Sequence, residues 1–225
     1  MVFSFLGDRS GDRKGKTDGD KALARLRGPA EVRAYWEGLR RDGAIPARTD
    51  LDPRGMADVL DQVFVAERIG TGLVRLRIAG MALADLGGID MKGLPLSTLF
   101  VPEARLRLAE VVERVFTLPE AAELHLTAER SIGRPELVGR LLLLPLHSNG
   151  GARDLILGVL ATEGEIGRAP RRFAITRAVE ERLVLPATPA PAETRGAAPA
   201  FAEAAAPPPR PLPGKPFLRL VHSAD

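Results

Sequence analysis

The chain contains no cysteine. That absence excludes disulfides, thiolate nucleophiles, cysteine-based zinc sites and iron–sulfur ligation together. It fits a cytoplasmic protein, where thiol chemistry is not needed for stability. Histidine is scarce too: His125, His147 and His222 are widely separated and form no metal-ligand spacing. Aromatic residues make up only 4% of the chain, so its core must be built from Leu, Val, Ile and Ala. Long apolar runs are missing. The start, MVFSFLGDRSGDRKGK, has about six mostly apolar residues before the charges begin. A secretory signal needs a basic start and about 7–15 apolar residues. The run LLLLPL at 141–146 falls far short of the roughly 20 residues that cross a bilayer. No membrane span and a cytoplasmic location are therefore expected. Charge of one sign is also lacking, with 32 basic against 29 acidic residues. A pI near 9.7 reflects a small excess over a balanced set, and it leaves no nucleic-acid footprint.

What is present divides the 225 residues into a folded region and two tails. Residues 1–21 are rich in glycine and charge and read as a disordered tail. Residues 186–214 form an Ala/Pro-rich linker, and 215–225 regain apolar character in KPFLRLVHSAD. The folded region spans 22–185 and opens with helices. Pro29 suits the first turn of AEVRAYWEGLRR, in which Val32, Tyr35, Trp36 and Leu39 share one stripe, and Gly43 would end it. A second helix is capped by Asp52 and started by Pro53, with Met56, Val59 and Leu60 inward.

Strand patterns follow. QVFVAERI and LVRLRIA alternate and are joined by a tight turn, which makes a β-hairpin, with Val74, Leu76 and Ile78 on one face. Pro102 then starts a helix whose buried stripe is Leu108, Val111, Val112 and Val115. Three more strands, AELHLTAE, ELVGRLLLLPL and DLILGVLAT, are separated by turn sequences. A helix, PRRFAITRAVEERL, closes the region. Five strands with the helices grouped between the second and the third indicate an α+β fold with an antiparallel sheet.

Between the hairpin and the long helix lies LRIAGMALADLGGIDMKGLPLSTLF. Its glycines invite a phosphate-binding reading, but Gly80, Gly87, Gly88 and Gly93 match neither G-x-G-x-x-G nor the G-K-[ST] ending of a P-loop. They serve instead to end a strand and stop a short helix. Leu94, Leu96, Leu99 and Phe100 then fall on the core.

This order of elements resembles the PAS domain. GIDMKGLPLSTLFVPEARLRLAEVVERVF looks like the stretch leading into the PAS connecting helix, and RLLLLPLHSNGGARDLILGVLAT like its last hairpin. YWEGLRRDGAIPARTDLDP followed by FVAE is similar to a group of single-PAS-domain proteins of alphaproteobacteria. The resemblance implies a five-stranded antiparallel sheet with helices on one face, and N-terminal helices that cover it further. It also implies a sensory or regulatory role.

Haem-binding members of the family use an axial histidine in the helical middle of the domain, and residues 80–118 hold none. The cysteinyl-flavin members need a cysteine. Both cofactors are disfavoured, and no metal or catalytic set stands out. His147 and Ser148 read as turn residues, and Asp50 and Asp52 as caps. Leu94, Leu96, Leu99 and Phe100 would border any small ligand in the usual PAS pocket.

The strands at 136–146 and 154–162 are apolar on both faces, so the second face needs a cover. Val32, Tyr35, Trp36 and Leu39 form the candidate interface helix. It packs either on its own sheet or on a second copy, and the resemblance favours a homodimer. The expected role is non-enzymatic regulation through an as yet unknown protein partner, with a small-molecule sensor as the alternative. The apolar 215–225 segment is a candidate docking peptide. Its deletion is expected to remove a captured protein partner, and an unchanged set of partners in affinity capture would count against that role.

Overall fold

In a computed structural model of the chain, the structure describes residues 28–185. The tail read at 1–21, residues 22–27, the linker at 186–214 and the segment at 215–225 lie outside the described residues. A helix, α1, covers residues 28–39. Short 3-10 turns follow at Arg41–Gly43 and Arg48–Asp50, and a longer 3-10 segment runs over Pro53–Gln62. The hairpin is β1 (Val63–Gly70) and β2 (Leu73–Ala79). Helix α2 (Met81–Gly87), a 3-10 turn at Leu96–Leu99 and helix α3 (Pro102–Thr117) form the helical middle. Strands β3 (Glu120–Ala128), β4 (Leu137–Leu146), β5 (Leu155–Gly164) and β6 (Phe173–Arg182) complete the fold.

One antiparallel sheet contains all six strands, in the order β2-β1-β5-β4-β3-β6. The expected α+β class holds, but the five expected strands are six. The closing helix expected at 170–183 is the strand β6. Its Arg and Glu residues favour a helix locally. Tertiary context overrides them, because β3 offers a free edge along its whole length. β6 pairs with it from Glu120↔Arg182 to Ala128↔Phe173. A bulge at Thr176 shifts the alternation. Phe173 therefore enters one core, whereas Leu183, just past the strand, enters the other.

Those two cores lie on opposite faces of the sheet. On the inner face, α2, the 91–101 segment and α3 pack over Phe64, Ala66, Leu76, Leu124, Leu126, Leu141, Leu143 and Ile156. On the outer face, Val32 and Trp36 of α1, with Ile45, Met56 and Val59, cover Val63, Val65, Leu142, Leu144, Leu157 and Val159. Trp36 is fully buried, and its indole N–H donates to the Pro145 carbonyl at 3.1 Å. Proline is tolerated there because β4 pairs with β3 only as far as Leu143.

Several local expectations shift. α1 stops at Leu39, and Asp42 and Gly43 both take positive φ (54° and 81°) to reverse the chain. The second helix is 3-10 rather than α. Leu60 is exposed and Gln62 is buried in its place. In β2, Ile78 does not join Val74 and Leu76. Val65 pairs with Ile78 and Ala66 with Leu76, so Arg77 is an inserted residue that turns Ile78 to the outer face. Replacing Trp36 with Ala is expected to cost about 3–5 kcal/mol, measured by urea unfolding. A loss below about 1 kcal/mol would show that α1 does not hold the outer face.

Candidate functional site

The inner face is where a ligand would lie in this architecture, so its lining is the first candidate. Leu96, Leu99 and Phe100 are buried in the inner core, and Leu94 packs against it half-buried. The stretch before them is tied to the edge strand. Leu76 N–H donates to Leu94 O at 2.9 Å, and Gly93 N–H donates to Leu76 O at 2.8 Å. Gly88, at φ 71°, caps α2 and lets the chain turn toward this edge. The glycine burst therefore works as punctuation, and its product is an apolar wall.

The wall faces side chains. Phe64 on β1 is opposite Gly158 on β5, and its ring lies across that glycine. A Cβ at Gly158 would sit 2.0 Å from the Phe64 ring. Phe64, Phe100 and Phe173 are all fully buried. Sequence reading missed this pairing, because Gly158 looks like an ordinary small residue in an apolar strand until β1 is placed beside it.

Arg171 closes the rim and was also missed. Its side chain is 1% exposed. The guanidinium donates to the carbonyls of Glu165, Ile166, Glu129 and Pro135, and the backbone N–H donates to Leu86 O at 2.7 Å. One side chain thus ties the β3–β4 loop and the β5–β6 loop, and the backbone of the same residue reaches α2. Burial pushes its pKa below the usual value, and nearby Arg134 adds to that. No carboxylate is among its hydrogen-bond partners within the described residues, so carbonyl dipoles carry the compensation.

The outer face carries the candidate interface helix. Val32 and Trp36 lie buried against the sheet of their own chain, while Tyr35 and Leu39 are half-buried. Tyr35 pins the following loop: its hydroxyl accepts from Asp52 N–H at 2.7 Å and lies 3.0 Å from Asp52 O. Arg33 and Arg40 flank the Trp36 ring, at 5.9 and 5.3 Å from its centroid. Arg33 also pairs with Glu181 of β6 at 3.1 Å, and Arg40 donates to Val184 O at 2.6 Å. The two ends of the described chain are joined here.

Between β1, β2 and the β4–β5 turn lies an open groove of about 490 Å³ bordered by Arg48, Glu67, Arg77, Ser148, Asn149 and Asp154. Glu67 and Arg77 are paired there, whereas Asp154 Oδ1 is buried without a hydrogen-bond partner among the described residues. Glu67 accepts from Arg75 at 3.0 Å and also from Arg77. The Arg77 hydrogen bond first, and Arg75 next, hold the Glu67 carboxyl below its ordinary value of 4.5. Arg107 likewise pairs with Glu110 and Glu180, and Arg105 donates to Phe100 O. These arginines do not form a basic face. Ser148 Oγ donates to Ala152 O at 3.3 Å, within a turn. Asp50 and Asp52 accept backbone N–H groups of Ala47 and Arg54, the capping role expected of them. Among the described residues, no group of three or more His, Asp or Glu side chains is placed to hold a metal ion.

The two-sided sheet, the helical middle and the connecting helix α3 agree with what a comparison with protein-family models finds. The model described as "PAS domain" matches residues 26–161. The chain belongs to the PAS domain family. Membership carries a signalling or sensory role. A comparison with curated proteins finds no match. The PAS match ends inside β5, so β6 lies beyond it. None of the described helices is long and apolar enough to cross a membrane.

Glu67 provides a pH test. Its pKa is depressed in the fold, so its contribution to stability is complete above about pH 4.5 and is lost as pH falls through the depressed value. Glu67→Gln is expected to lower stability at neutral pH, with a smaller difference from wild type well below pH 4.5 than at pH 7. Urea unfolding at the two pH values measures this, and a difference that stays constant would show that the ion pairs contribute nothing.

Proposed function

We propose that this PAS domain is a non-enzymatic regulatory module of the bacterial cytoplasm. It would act through protein–protein contact in signal transduction or transcriptional control, and as a homodimer. One observation carries the reading. The space between sheet and helices is occupied by the chain's own side chains, with the Phe64 ring seated on Gly158 and Leu96, Leu99, Phe100 and Phe173 fully buried around it. An interior packed in this way acts as a rigid support, and the surface is left to do the recognition. The pairing of Glu67, Arg75, Arg77, Arg107 and Glu180 supports protein contact over nucleic-acid contact, since these arginines present no stripe of free cations among the described residues.

The competing reading is a small-molecule sensor with Leu94, Leu96, Leu99 and Phe100 as pocket wall. Native mass spectrometry of the full chain purified from its own host separates the two. A mass of two polypeptide chains with no small molecule added is expected, together with a protein partner in affinity capture. A stoichiometric small molecule that stays bound, and is released by Gly158→Ala, would overturn the contact reading in favour of the sensor.

A further inference from the structure

The strand β6 has one edge on β3 and, among the described residues, no strand on its other edge. Val101 N–H donates to Phe173 O at 3.1 Å, so the 100–101 segment covers the beginning of that other edge. From Thr176 to Arg182 no backbone partner is found on that side among the described residues. Leu183 N–H donates to Pro119 O at 2.6 Å, in line with the β3 pairing. Backbone groups in a strand point alternately to the two sides. Glu181, Val179 and Arg177 therefore share the β3 side with Leu183, and Ala178, Glu180 and Arg182 aim their N–H and C=O groups outward.

The side chains along this edge carry a pattern of their own. Arg177, Val179 and Glu181 pair across β3 with His125, Glu123 and Ala121, so they stand on the outer face. Val179 is 41% exposed, an apolar residue at the centre of an otherwise charged run. An Arg lies two residues before it and a Glu two residues after it.

We propose that β6 pairs antiparallel with β6 of a second copy of this chain, about a two-fold axis at Val179. Three separate features fit one register. Val179 faces Val179 of the second copy, and Arg177 faces Glu181 of the second copy twice over, once on each side of the axis. Ala178 and Glu180 become the hydrogen-bonded pair, and these are the residues whose backbone groups point outward. Val179 and the charged pairs fall at non-hydrogen-bonded positions, where side chains approach most closely. Moving the axis by one residue, which slides the strands by two, breaks this arrangement. Centred on Glu180, it sets Glu180 against Glu180; centred on Ala178, it sets Arg177 against Val179 in place of a carboxylate. Glu181 already holds Arg33 of its own α1 at 3.1 Å, so the paired edge would connect α1 of one copy to β6 of the next. The two sheets would join into one continuous sheet. A second copy is the occupant that this self-complementary charge order selects; an unrelated strand would have to reproduce Arg–x–Val–x–Glu in reverse.

This inference rests on the proposed homodimeric contact module and names its surface. The test is sedimentation equilibrium on the full chain and on variants at exposed positions, with far-UV circular dichroism as a fold check. Wild type is expected at twice 24.1 kDa. Val179→Lys, which sets two lysines face to face, and Arg177→Glu, which sets glutamates against Glu181, are each expected to give monomer with unchanged secondary structure. The double variant Arg177→Glu with Glu181→Arg is expected to restore the dimer, since the pair is only reversed. A wild-type chain that stays monomeric at about 100 μM, well above the range of a stable dimer, would overturn the proposal. So would a dimer that persists in Val179→Lys, including one held through α1 or through the terminal segments. Neither result bears on whether a small molecule occupies the interior, which native mass spectrometry reads separately.

Discussion

The rest of this structure depends on a sheet that must be kept from water on both faces. β1, β4 and β5 place apolar side chains alternately above and below the sheet, and leaving either set exposed would cost about 25 cal/mol for each Å² of apolar surface. A PAS sheet with helices on one side only would leave Val63, Val65, Leu142, Leu144, Leu157 and Val159 wet. α1 and the 45–62 segment answer that requirement. Trp36 is the key side chain, because it is the largest buried group on that face and its one polar atom reaches the Pro145 carbonyl. The position of the first helix, its pairing with Glu181 and the route of the chain past Tyr35 all follow from it.

The inner face works by a different means. There an aromatic ring of one strand lies across a glycine of the next, Phe64 on Gly158, which brings the sheet's own side chains into the chamber between the layers. At one end of that chamber a buried cation, Arg171, replaces apolar contact with hydrogen bonds to loop carbonyls. Such a group fixes geometry more than it adds stability. Each loop must present its carbonyls at the right distance, or the charge is left in a low-dielectric setting. The α2 end, the β3–β4 loop and the β5–β6 loop are therefore held in one arrangement.

Charge on the surface is organised by strand position. The inserted Arg77 in β2 brings a second guanidinium onto Glu67 and turns Ile78 outward, so one irregularity in register creates both the ion-pair cluster and the rim of the outer groove. On β6 the bulge at Thr176 has a comparable effect. Residues before it serve the inner core, and those after it place Arg177, Val179 and Glu181 on the outer face at the free edge.

Much of this was determined by the sequence itself. Periodicity of 3.6 identified α3 and the stripe Val32, Tyr35, Trp36, Leu39, and alternation identified the hairpin. The uninterrupted leucines of β4 required a second cover, and glycine spacing disqualified a phosphate loop. These are local signals, legible because each depends on residues close together in the chain. Tertiary structure alone decided the rest. TRAVEER has helix-forming composition and became a strand because β3 presented unpaired backbone groups, an influence from more than 40 residues away. The burial of Arg171 and the contact of Phe64 with Gly158 exist only after distant segments meet. Whether α1 lies on its own sheet, as here, depends on competition between surfaces, and no periodicity within one helix encodes its outcome.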